Sequence, residues 1–482
     1  MIRSVLQHRS ISVGLLGVLM LLGSAGCLAK ANPNVIIIIT DDQGWADIGF
    51  NNDRVYTPHL DALADSGAKL VNHYVTPQCT PTRVALMTGR YPGRFGPPAH
   101  AANNNPAFPL GTPTLAKMFH DAGYETFMSG KWHLGSSAKH GPNHFGFDES
   151  HGSLTGAVGM YDHRYQVEPN RWDPTWHRNH TIIERYENGR HVTDLTRDEA
   201  VKFIKRRRNK PFFLYLPFHA PHTPLDERGR FVESPTRPDP ENPSRWLNED
   251  RIEWFNDPAG KIQAEPDRDK RLLLAAVHHI DSVVGDVLAA LEDTGQRDNT
   301  VILFSSDNGP WVNSAGGGYP HNIPLKDYNQ PDDLRGRKLD VWEGGIRVAG
   351  FIHWRGRIEP REVQPYVHII DWFPTLAEVI GHEPDQDPAW DGVDLSPVLF
   401  GNGGLPDRDL YWIWAHNINR WALRYQDWKI VKYGEGEPKV DQWQLFNLKE
   451  DPSEKVNLAG QHAEIVHRLH KRFLVQRAKD KP

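Results

Sequence analysis

The run Cys79-Thr80-Pro81-Thr82-Arg83 joins a thiol, a proline and a guanidinium within five residues. The chain has two cysteines, and Cys27 lies in a leader-like segment, so Cys79 has no partner for an intramolecular disulfide. A leftover cysteine of this kind is a candidate for chemistry, with a buried inert thiol as the alternative. The helix predicted to start just after it would favour anions and anionic intermediates at its N-terminus. Two further pairs, Asp41-Asp42 and Asp307-Asn308, offer only oxygen ligands. Such a set suits a hard cation, Ca²⁺ or Mg²⁺, and disfavours a thiol- or histidine-bound zinc. Taken singly, each pair also reads as a helix cap or turn.

The elements around these residues decide between the readings. Four short apolar runs each release polar residues at their ends. Val35 to Ile39 leads to Thr40-Asp41-Asp42, and Glu125 to Ser129 leads to Gly130-Lys131-Trp132-His133. Phe212 to Leu216 leads to His219 and His222, and Val301 to Ser305 leads to Asp307-Asn308. Short apolar runs alternating with helical patterns predict an α/β fold with a large, mixed, mainly parallel sheet flanked by helices. In such sheets ligands bind at the carboxyl ends of the strands, so the four runs point to one shared site. Pro58 to Asp65, Thr114 to Asp121 and Arg268 to Glu292 read as scaffold helices, the last stopped by Gly295. Thr223 to Pro266 lacks a clear period and reads as a surface excursion, and Gly316-Gly317-Gly318 as a flexible loop. Beyond residue 400 come strands at Leu410 to Trp414, Trp421 to Tyr425, Trp428 to Tyr433 and Gln444 to Phe446, then a helix from His462 to Gln476. The expected organisation is a catalytic domain over 32–400 and a smaller α+β domain with an antiparallel sheet over 401–482.

The stretch Cys79 to Arg83, followed by Thr88-Gly89-Arg90, resembles the C-x-P-x-R and T-G-R signature of the formylglycine-dependent (type I) sulfatases. Further blocks similar to that family occur in its order: Asp41-Asp42-Gln43-Gly44, Gly130-Lys131-Trp132-His133-Leu134-Gly135, Ala220-Pro221-His222, Asp307-Asn308-Gly309, and Lys338 with Trp342-Glu343-Gly344-Gly345. The resemblance runs from residue 33 to about residue 460. It implies an alkaline-phosphatase-like fold and oxidation of Cys79 to formylglycine by a maturation enzyme. One Ca²⁺ would be held by Asp41, Asp42, Asp307, Asn308 and residue 79. The aldehyde would hydrate to a geminal diol, and one hydroxyl, its proton loss favoured by the cation and Arg83, would attack sulfur. Removing the proton from the second hydroxyl would then expel sulfate. The resemblance makes His133 the base for that hydroxyl and His222 the acid for the leaving oxygen, with His222 preferred to His219. Lys131 and Lys338 would hold sulfate oxygens. Thr82 stands where serine or alanine is expected, a small change. The segment His368-Ile369-Ile370-Asp371-Trp372-Phe373-Pro374-Thr375 looks like the arylsulfatase branch that includes N-acetylgalactosamine-4-sulfatases, which implies a sulfated glycan or small sulfate ester as substrate.

Composition bounds the rest. Arg3 and Arg9, an apolar run from Val13 to Leu22 and Ala29-Lys30-Ala31 read as a signal peptide over 1–31, too short to span a membrane. The protein is therefore expected outside the cytoplasm, periplasmic or extracellular, with no transmembrane segment in the mature chain. Gly26-Cys27 leaves a lipid-anchored form open. Removing Arg3, Arg9 and Lys30 leaves 52 basic against 61 acidic residues, a net charge of −9 that argues against a nucleic-acid partner. Lys205-Arg206-Arg207-Arg208 could attract a sulfated polysaccharide or simply close a helix. Among the 16 tryptophans, Trp311 and Trp342 are candidate sugar platforms, with core packing the expected use of most of them. Two rivals remain at this point: a phosphoryl-ester hydrolase of the alkaline-phosphatase superfamily, and an inactive sulfated-glycan-binding protein.

Overall fold

The computed structural model describes residues 32–481 except 162, 169–170, 184–189, 224, 226–235, 239–245, 249–258, 267, 312–333, 385, 402 and 416–418. The leader, the greater part of the 223–266 excursion and the loop Gly316-Gly317-Gly318 lie outside the described residues.

A ten-stranded sheet forms the centre. In chain order its strands are β1 (Asn34–Thr40), β2 (Ala68–Leu70), β3 (Glu125–Lys131), β4 (Glu149–Ser153), β5 (Trp176–Arg178), β6 (Thr181–Ile182), β7 (Phe212–Pro217), β8 (Thr300–Ser306), β9 (Gly350–Trp354) and β10 (Arg361–Val363). Their spatial order is β10-β2-β9-β8-β1-β7-β3-β4-β5-β6. The five central strands, β8, β1, β7, β3 and β4, pair in parallel, and antiparallel pairs lie towards the edges. The four runs singled out in the sequence are thus four adjacent parallel strands, so their carboxyl ends meet on one edge. The central strand β4 and the outer strands β2, β5, β6, β9 and β10 carry no comparable apolar run, and the sequence reading had not found them.

The isoleucine run of β1 shows why the layers form. Val35, Ile37 and Ile39 enter one apolar core and Ile36 and Ile38 another, because successive side chains of a strand point to opposite faces. Helices α1 (Pro58–Asp65), α4 (Val192–Ile204) and α5 (Arg268–Asp293) fill the second core. Helices α2 (Cys79–Thr88), α3 (Leu115–Asp121) and α6 (Trp372–Ile380) fill the first. Truncating a fully buried residue such as Ile37 to alanine costs about 2–5 kcal/mol, since the layers are packed from both sides. Among the described residues, one helix, within α5, is long and apolar enough to cross a membrane, and two-thirds of that stretch is buried in the protein. Gly295, at φ +66°, ends it as expected.

Strands β11 (Asp409–Trp414), β12 (Arg420–Tyr425), β13 (Trp428–Tyr433) and β14 (Gln444–Asn447) make an antiparallel sheet. One face, with Tyr411, Leu423 and Ile430, packs on helix α7 (Ala463–Arg477). The other, with Leu410, Trp412 and Val431, packs on Tyr74 and Trp342 of the larger unit. Trp342 is therefore core, stacked on Tyr433 at 5.3 Å, and is no sugar platform. The basic run also resolves into structure: Lys205 pairs with Asp293, Arg206 with Glu149 and Arg208 with Glu125.

Candidate active site

Each expected side chain arrives at the edge where β8, β1, β7 and β3 end. Asp41 and Asp42 follow β1 directly, and Asp307 and Asn308 follow β8, with Asp307 N–H donating to the Thr40 carbonyl at 3.0 Å. Lys131 is the last residue of β3 and His133 lies two beyond it. His222 follows β7 after a cis Ala220–Pro221 bond. Cys79 opens α2, all ten residues of which are buried, so the helix begins at the thiol and not just after it.

Three carboxylates face three cations here. Lys131 is ion-paired with Asp41, and neither is exposed. Lys338 Nζ lies 2.7 Å and 2.9 Å from the two oxygens of Asp42. Arg83 donates through Nη2 and Nε to Asp307 Oδ2, at 2.8 and 3.2 Å, and through Nη1 to the Lys131 carbonyl at 2.7 Å. Asn308 Nδ2 donates to Asp42 Oδ1 at 2.8 Å, which fixes its amide and leaves Asn308 Oδ1 as the free acceptor. Asn308 Oδ1 and Asp41 Oδ1 are both buried without a hydrogen-bond donor among the described residues. Buried acceptors left open cost free energy unless something meets them. Ligand atoms of Asp41, Cys79 and Asp307 lie within 4.8 Å of one another, as do those of Asp41, Asp42 and His222. An all-oxygen set with orphaned acceptors fits a hard divalent cation.

The protonation states follow from burial and neighbours. Burial pushes the Cys79 thiol up to about 11, despite Lys131 and Lys338, so an unmodified Cys79 is a poor nucleophile. Burial, then Lys131 and Arg83, hold His133 well below the ordinary imidazole value and keep it neutral. Burial raises Asp42, but Lys338 and His222 outweigh it and keep the carboxylate ionised. Burial also lowers His222, opposed by Asp41 and Asp42. The Nδ1 of His222 lies 2.7 Å from the Thr223 carbonyl, which can only accept, so Nδ1 carries the proton. Its Nε2 lies 3.7 Å from Asp42 Oδ2. His219 is also buried, but neither of its ring nitrogens has a hydrogen-bond partner among the described residues.

Two site residues are held in left-handed backbone, Asp42 at φ +66° and His133 at φ +56°. Such conformations cost roughly 1–3 kcal/mol each and persist where surrounding structure imposes them. For His133 that surrounding includes Gly156, where an added Cβ would fall 2.3 Å from the imidazole ring. Cys79, His133, His222, Trp311 and Lys338 line a pocket of about 230 Å³ together with Gln78, Asn104 and Gly156. The sequence reading missed those last three. Gln78 alone left a signal: it is the N-cap of α2, a position where Ser, Thr, Asp or Asn is favoured.

Comparison with known proteins gives concordant results. A family described as Sulfatase matches residues 33–382, and one described as N-sulphoglucosamine sulphohydrolase, C-terminal, matches 337–479. Mouse N-acetylgalactosamine-6-sulfatase is 31% identical, over 94% of this chain and 82% of its own length. Mouse arylsulfatase J is 29% identical, over 93% of this chain and 76% of its own. The crystal structure of Ps i-CgsB, also solved in complex with k-i-k-neocarrahexaose, superposes with a TM-score of 0.74 at 28% identity, over 93% of this chain and 94% of that one.

Proposed function

This chain belongs to the sulfatase family and is a sulfuric ester hydrolase; on that premise we propose that it desulfates a glycan, using formylglycine made from Cys79 and a calcium ion. The observation that carries the proposal is the convergence of Asp41 and Asp307 on one buried thiol, with Asp42 beside Asp41, Asn308 bonded to Asp42 and two buried lysines paired with Asp41 and Asp42. Those four residues and residue 79 would hold the ion. When bound, the ion supplies Lewis acidity to the oxygen nucleophile and to a sulfate oxygen. Formylglycine, as its hydrate, supplies one hydroxyl for attack at sulfur and a second whose proton loss releases sulfate.

The chain's own residues do the rest. Lys131 and Lys338 lie beside the thiol's pocket and bind sulfate oxygens in a water-poor setting, where each charge counts for more than in solvent. His133, kept neutral, accepts the proton from the second hydroxyl at residue 79. His222, oriented by its Nδ1–H bond to the Thr223 carbonyl, delivers a proton from Nε2 to the leaving oxygen. The acidic neighbours Asp41 and Asp42 favour the imidazolium that this step needs. Arg83 keeps Asp307 and the end of β3 in register beneath the nucleophile.

A glycan substrate is supported by the names of the relatives and by the complex of Ps i-CgsB with k-i-k-neocarrahexaose. Residues 1–31 fit an export signal, so a periplasmic or extracellular site and a formylglycine-generating maturation enzyme belong to the same proposal. We take 32–400 as the catalytic unit and 401–482 as its α+β companion.

The deciding experiment is the mass of the tryptic peptide Leu70 to Arg83 from protein made in its native host. One sulfur and two hydrogens replaced by one oxygen is expected, and only intact cysteine would sink the mechanism. Chelation should abolish sulfate release and Ca²⁺ restore it, while phosphate esters of the same alcohols should turn over far more slowly.

A further inference from the structure

The amide of Gln78 is fixed in one orientation. Its Oε1 accepts from the Ala102 backbone N–H at 2.7 Å and from the Trp414 indole N–H at 2.8 Å. Both partners are obligate donors, so the atom facing them is the oxygen, and the amide cannot be flipped. The Nε2 of Gln78 donates to nothing among the described residues and is not among the buried atoms lacking a partner. Gln78 is half-buried, precedes Cys79 and lines the same pocket. It also sits at the N-cap of α2 without making the side-chain cap bond common there. Its side chain is thus turned to other use: a rigid neutral donor held beside the nucleophile.

We propose that Gln78 is a specificity-determining residue, its Nε2 donating to a hydroxyl or carbonyl oxygen on the sugar ring that carries the scissile sulfate. This rests on the sulfate-ester reading above. A hydroxyl or N-acetyl carbonyl next to the ester supplies the acceptor, whereas a simple aryl sulfate has no such group on the atoms adjoining its ester. The amide carries no charge, so it selects for the sugar without competing with Lys131 and Lys338 for the sulfate. Trp414, at the end of β11, is the positioning residue: the C-terminal sheet reaches into the pocket through its indole N–H.

The test uses calcium-loaded, matured full-length enzyme and two sets of probes. One is 4-methylumbelliferyl sulfate; the other comprises galactose and N-acetylgalactosamine sulfated at the 4- or 6-position. The readout is the ratio of kcat/KM for the best sugar sulfate to that for the aryl sulfate. Gln78→Glu keeps the two fixing bonds but replaces the donor with an acceptor, and Gln78→Leu removes both. Each should lower the ratio by roughly 10- to 100-fold, the usual effect of leaving one buried hydrogen bond unmade. Trp414→Phe should lower it by less, mainly through KM. Equal losses on both probe sets would overturn the proposal by making Gln78 structural, and so would a wild-type enzyme that does not prefer any sugar sulfate to the aryl ester. Failure of the wild type on every probe is a separate outcome, which overturns the sulfate-ester reading and this proposal with it.

Discussion

Two of the clusters of buried charge among the described residues differ in what they face. At the junction of the two sheets, Lys429 sits 2.8 Å from Glu343 and 2.9 Å from Glu454, all three buried. Tyr74 donates to the other oxygen of Glu343 at 2.6 Å and receives a hydrogen bond from Arg424. The Glu343 backbone N–H donates to Glu454 at 2.7 Å. Lys429 bridges Glu343 of the larger unit and Glu454 of the smaller one, and the Glu343 N–H bond to Glu454 crosses as well, so the cluster works as a clamp. The cluster at the strand ends uses the same residue types, leaves Asp41 Oδ1 and Asn308 Oδ1 without donors among the described residues, and lies against an open pocket. Composition does not separate the two, and neither does an unmet acceptor alone, since Glu454 Oε1, though 2.9 Å from Lys429, also lacks an aligned donor; the adjoining cavity does.

That contrast predicts that one cluster fails in chemistry and the other in folding. Cys79→Ala should reduce sulfate release by about 10⁴-fold or more, as loss of a nucleophile does, with little change in melting. A large loss of stability instead would erase the distinction. At the junction, Lys429→Met leaves two buried carboxylates without their shared cation and should cost about 3–5 kcal/mol in denaturant unfolding, with near-normal kcat in the folded fraction. Lys338→Met should lower kcat about 10²- to 10³-fold even in the folded fraction, on top of the stability lost by leaving buried Asp42 without its cation, so the kcat of folded protein is what separates it from Lys429→Met.

The smallest effect tests burial without any cation. Asp281, fully buried, accepts from the Leu60 N–H at 2.8 Å and is pushed by burial up to about 7. A carboxyl raised in the folded state favours the protein below the ordinary carboxylate value, and that contribution is lost as pH rises towards 7. Asp281→Asn should therefore stabilise at pH 8 by on the order of 1–3 kcal/mol, with the gain gone by pH 4. An equal gain at both values would show that ionisation is not the cause.

Four of the five central strands, the long helix, the four C-terminal strands and the blocks that supply the candidate site were legible in the sequence. These are features written locally: Val35 to Ile39 is a short β-branched run that suits a doubly buried strand, and the blocks from Asp41 to Lys338 keep their order along the chain. The edge strands escaped because two- to five-residue segments such as Ala68–Leu70 or Thr181–Ile182 take their conformation from the neighbour they pair with. Trp342 could equally have been a platform or core until Tyr433, about ninety residues later, was seen stacked on it. The left-handed backbone of Asp42 and His133, the open acceptors and the fixed amide of Gln78 were also beyond the sequence. Each depends on atoms brought together from distant segments, Trp414 against Gln78 and Asp307 against Arg83. The order of residues chose which groups were available, and packing chose which of them were left facing the pocket.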